Sequence, residues 1–63
     1  MTNYIVVTTN TPEVRATMHQ SVEDVELVAG QTTFLCWHLH EPTPDDLEKA
    51  QHLEGYLGIV EIK

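Results

Sequence analysis

The sequence predicts an α+β domain of the ferredoxin-like kind, with element order β-α-β-β-α-β, and three observations predict it. Two Thr-Pro pairs, Thr11-Pro12 and Thr43-Pro44, each open a stretch whose apolar residues fall at helical spacing. Four runs rich in β-branched and aromatic residues frame those stretches. Two of the runs follow one another with only a tight turn between them. Such an order builds a four-stranded antiparallel sheet with both helices on one face.

The elements can be justified in turn. Tyr4 to Thr9 reads as the first strand. Thr11 can cap a helix through its hydroxyl, and Pro12 suits the first helical position because its missing N–H costs nothing there. Glu13 sits in the first turn, favourable to the helix dipole. Val14, Met18 and Val22 recur every four residues on one helical face, and the helix should end near Val22. Val25 to Ala29 is the second strand, and Gly30-Gln31 a tight turn. Thr32 to His40 is the third strand. In it Leu35, Trp37 and Leu39 point one way, and Phe34, Cys36, His38 and His40 the other.

Glu41-Pro42 closes that strand. Thr43-Pro44-Asp45-Asp46 repeats the helix start, with Asp46 where a capping-box acid stands. Leu47, Ala50 and Leu53 form the second helical stripe, and Gly55 is a natural stop. Leu57 to Ile62 is the last strand. The expected core is Ile5, Val7, Val14, Met18, Val22, Leu35, Trp37, Leu39, Leu47, Ala50, Leu53 and Ile59. The opposite sheet face would then carry Tyr4, Val6, Phe34, Cys36 and His38 without cover, which suggests a contact site.

Sixty-three residues make a single domain with one small core. Three basic and ten acidic residues give a net charge of −7. That balance argues against direct contact with nucleic acid or an anionic membrane, and favours a basic partner or the helix N-termini of one. With the single cysteine Cys36 no internal disulfide can form. No basic n-region with an apolar run opens the chain, and no apolar stretch approaches a membrane span. A cytoplasmic location is the expectation.

Several constellations offer chemistry. Cys36, His38 and His40 alternate on one strand face, and His19 or His52 could add a zinc ligand. Along a strand, however, the outer two stand about 13 Å apart at ~3.3 Å per residue, too far for one ion. Exposed polar residues on an open face are the simpler reading. Cys36 with His38 as nucleophile and base lacks an orienting third group, and no enclosing pocket is expected. Neither a cofactor nor catalysis is therefore expected. Trp37 lies between Leu35 and Leu39, which argues for the core rather than base stacking. The acids Glu41, Asp45, Asp46, Glu48 and Glu54 could imitate a phosphate backbone, as in phage-type inhibitors of nucleic-acid-processing complexes. As a plainer account, they form a solvated helix face.

Tyr4-Ile5-Val6-Val7 followed by Asn10-Thr11-Pro12-Glu13-Val14 resembles the start of the subtilisin-propeptide-like inhibitors, which include the small proteinase B inhibitors. Thr43-Pro44, Leu47, Lys49, Leu53, Gly55 and Ile59-Val60-Glu61 are similar to that family's second helix and last strand. The resemblance implies docking of the open sheet face onto surface helices of a subtilisin-like protease, with carboxylates capping those helices. It implies contact residues Phe34, Cys36 and His38, with Glu26 a candidate cap, and Tyr4 joins them from its expected place on the open face. Val60, Glu61, Ile62 and Lys63 would be a tail lying in the substrate cleft. The chain departs from the family where Thr33, not glycine, precedes Phe34, and where it runs only two residues past Glu61. The expectation is a protease inhibitor of this kind, with binding without inhibition as the alternative for so short a tail. The function expected is a protein-binding module, with self-association through an edge strand as a further option.

Overall fold

The computed structural model describes residues 2–62 of the chain. It contains β1 (Asn3–Thr9), α1 (Pro12–Ser21), β2 (Val25–Gly30), β3 (Phe34–Leu39), α2 (Pro44–Gln51) and β4 (Tyr56–Ile62). The strands form one antiparallel sheet in the order β2-β3-β1-β4, which is the ferredoxin-like arrangement the element order predicts.

Each helix starts where its Thr-Pro pair dictates. Thr11 Oγ1 accepts from the Val14 N–H at 3.2 Å, with Pro12 opening α1. Thr43 Oγ1 accepts from the Asp46 N–H at 3.1 Å, and the Asp46 carboxylate accepts from the Thr43 N–H at 3.3 Å. This completes a capping box and gives two orphan donors their partners. The helices lay Val14, Met18, Val22 and Ala50 onto one sheet face, against Val6, Leu35, Trp37 and Leu39. Leu47, Leu53 and Ile59 border this core and are partly buried.

β3 is shorter than the β-prone run at both ends. Gln31 donates to the Phe34 carbonyl at 2.7 Å, so residues 31–33 close the β2–β3 hairpin. At the other end Glu41 takes a positive φ of 44°, which turns the chain off the sheet toward α2. A register shift between Leu27 and Ala29 leaves Val28 unpaired as a bulge.

The expected facing of β1 is reversed. Tyr4, Val6 and Thr8 point toward the helices, while Ile5 and Val7 lie on the uncovered face. Val6 and Thr8 are fully buried. Tyr4-Ile5-Val6-Val7 is apolar throughout, so alternation alone cannot set its phase. The indole of Trp37 sets it: Trp37 Nε1 donates to Thr8 Oγ1 at 2.9 Å inside the core. A buried tryptophan needs an acceptor, and Thr8 supplies it only if the even-numbered residues of β1 face inward.

Candidate functional site: the uncovered sheet face

Because both helices pack on one side, the other side of the sheet is left open, and the register fixes its occupants. Glu26, His38, Ile5 and Val60 form one row across the four strands. Ala29, Cys36, Val7 and Gly58 form the next, and Phe34 stands beside Thr9 in a third. Ile5, Val7, Phe34, Cys36 and His38 are half-buried, while Val60 and Ile62 are exposed. The surface is therefore apolar in its middle, with an acid and two histidines at one end.

Six of the residues the sequence singled out meet here: Glu26, Phe34, Cys36, His38, Val60 and Ile62. Tyr4 does not, because it packs beside the core on the helix side. Glu61 shares Tyr4's register position and so belongs to that same side, at an exposed edge. Lys63 lies outside the described residues. The tail expectation also changes. Val60, Glu61 and Ile62 are paired with Ile5, Tyr4 and Asn3 as part of β4, not held as a free strand for a cleft. Their backbone groups are already engaged along one edge. Sequence reasoning missed Ile5 and Val7 at the site; the need of Trp37 for a buried acceptor was the signal that could have found them.

The polar end of the face has a defined geometry. Glu26 stands directly opposite His38 in the β2–β3 register. His40, just beyond the end of β3, folds its ring over His38 with centroids 4.0 Å apart and planes inclined by 32°. His40 Nε2 lies 3.4 Å from Glu26 Oε2. His38 Nε2 is buried and has no hydrogen-bond partner among the described residues. Strand alternation had grouped Cys36 with the two histidines; the fold instead assembles Glu26, His38 and His40, and Cys36 sits one row away between Val7 and Ala29.

Elsewhere the surface is plainer. Asp46 is engaged in the capping box, and Asp45 pairs with Lys49 at 3.1 Å. The hydrogen bond and charge of Asp45 raise the Lys49 ammonium above its ordinary value. Glu41, Glu48 and Glu54 are the exposed remainder of the acidic cluster. A groove of about 720 Å³ runs on the helix side between Thr11, Glu13, Thr17, His52 and Glu54. No side-chain-to-side-chain hydrogen bond links its polar groups among the described residues. No helix of the described residues is long and apolar enough to cross a membrane.

No family model, curated protein or solved structure matches this chain.

Proposed function

We propose that this chain is a protein-binding module that docks through the uncovered face of its sheet, in the manner of propeptide-type inhibitors of subtilisin-like proteases. The observation that carries this reading is the apolar surface of Ile5, Val7, Phe34, Cys36, Val60 and Ile62, which no element among the described residues covers. A contiguous apolar face rimmed by polar groups is the usual mark of a docking site. The acidic balance of −7 and the 65% exposed side chain of Glu26 at its rim suit a partner that presents helix N-termini there. The resemblance at both ends of the chain supplies the partner class.

Since Val60, Glu61 and Ile62 are paired in β4, docking by the face comes first. Occupation of a substrate cleft would require the end of that strand to leave its ladder. Binding is therefore expected without strong inhibition. Titration of immobilised subtilisin-like proteases with the folded chain tests the reading. Binding should appear at micromolar concentrations and disappear with Phe34→Asp or Val60→Asp. Complete absence of binding by folded protein across a panel of such proteases would remove it.

The charge of −7 favours a second reading, in which Glu41, Glu48 and Glu54 block a basic, nucleic-acid-binding site on another protein. Salt separates the two. Charge-driven binding weakens steeply as salt is added, whereas docking through an apolar face responds only mildly.

A further inference from the structure

We propose that Glu26, His38 and His40 form a binding site for a divalent transition-metal ion of the zinc class, at the polar end of the uncovered face. Each residue offers one ligand atom, and the three atoms lie within 4.8 Å of one another. Two ligands on a tetrahedral zinc with bonds of ~2.0–2.2 Å stand about 3.3–3.5 Å apart. The 3.4 Å between His40 Nε2 and Glu26 Oε2 already matches that edge. Rotation of the exposed side chains of His40 and Glu26 closes the remaining separation.

The backbone explains why the three converge. Hairpin pairing of β2 with β3 places residue 26 opposite residue 38. The end of β3 at Leu39 and the positive φ of Glu41 free His40 from strand alternation, so its ring can fold back over His38. Four residues of strict alternation separate Cys36 from His40; one residue of hairpin register and one strand end bring the actual trio together.

A further feature concerns His38 itself, whose Nε2 is shut off from water and has no hydrogen-bond partner among the described residues. Buried polar atoms without partners are few in folded proteins and call for a specific cause. Coordination of a cation through Nε2 itself would be such a cause. The donor set chooses the cation: two imidazoles and one carboxylate suit Zn²⁺, while Ca²⁺ and Mg²⁺ favour all-oxygen shells. His40 and Glu26 side chains are 47% and 65% exposed, so water can complete the coordination.

This site does not depend on the docking reading, and the isolated full chain tests it. Calorimetric titration with Zn²⁺ alone should show one ion per chain. Glu26→Gln and His40→Gln should each weaken binding by at least about tenfold, since each removes a direct ligand. His52→Gln, at the far end of α2, should leave affinity unchanged. Zn²⁺ should raise the Tm of the parent chain and not that of Glu26→Gln or His40→Gln, which also confirms that both variants fold. Co²⁺ should give visible ligand-field bands without thiolate charge transfer. No saturable Zn²⁺ binding up to about 100 µM would overturn the proposal. So would affinity unchanged in the Glu26→Gln and His40→Gln variants, or a thiolate band, which would move the site to Cys36.

Discussion

Replacing Thr8 by valine keeps the shape of the side chain and removes the acceptor that holds the Trp37 indole N–H. Thr8 and Trp37 are both at 0% exposure, and their atoms are 2.9 Å apart, so water has no route to the freed donor. A buried donor left without a partner costs about 1–3 kcal/mol. The added methyl group recovers roughly 0.8 kcal/mol through burial. The net loss is about 0.2–2.2 kcal/mol. In a domain of this size each kcal/mol shifts Tm by about 4–8 °C, so Thr8→Val should melt lower by about 1–18 °C. Circular dichroism on heating and in urea measures this directly. A double-mutant cycle sharpens it: in a Trp37→Phe background, where no indole N–H exists, Thr8→Val should cost almost nothing. A Thr8→Val loss that is just as large in the Trp37→Phe background as in the parent would refute the reasoning. It would mean that Thr8 faces outward, that Ile5 and Val7 are inside, and that the uncovered face is made of other residues.

The same facing of β1 predicts that Val6→Thr costs more than about 1 kcal/mol, while Val7→Thr, on the uncovered face, costs about 0.5 kcal/mol or less by chemical denaturation. Gly55 has a φ of 98°, and a Cβ there would meet Thr9 Oγ1 and the Val14 methyl; Gly55→Ala should destabilise by at least about 1–3 kcal/mol in the same assay. Thr43→Ala removes one half of the capping box and should cost about 0.5–2 kcal/mol, with Thr43→Asn recovering most of it. Lys49 is raised by Asp45, so their pair contributes fully below the ordinary ammonium range and is lost as pH rises through the raised value. Asp45→Asn should bring the Lys49 titration, followed by NMR at the side chain, back toward its ordinary position. Phe34→Asp should lower Tm by several degrees, since Phe34 is half-buried in β3, while the folded variant loses docking altogether.

Local physical chemistry made much of the fold legible. The Thr-Pro pairs mark both helix starts because a hydroxyl cap and a proline at the first position are local devices that need no tertiary partner. Period-two alternation in β3 put Leu35, Trp37 and Leu39 inside because polar and apolar residues take turns there. Element order alone implied the sheet order, since few topologies of six short elements bury one face. What alternation could not decide was β1, a central strand apolar on both faces, and only the buried hydrogen bond between Thr8 and Trp37 chose its phase. Nor could linear spacing bring Glu26 to His38 or fold His40 over it. Hairpin register and the turn at Glu41 are cooperative outcomes of the packed sheet, and they decide which polar groups meet at the end of its open face.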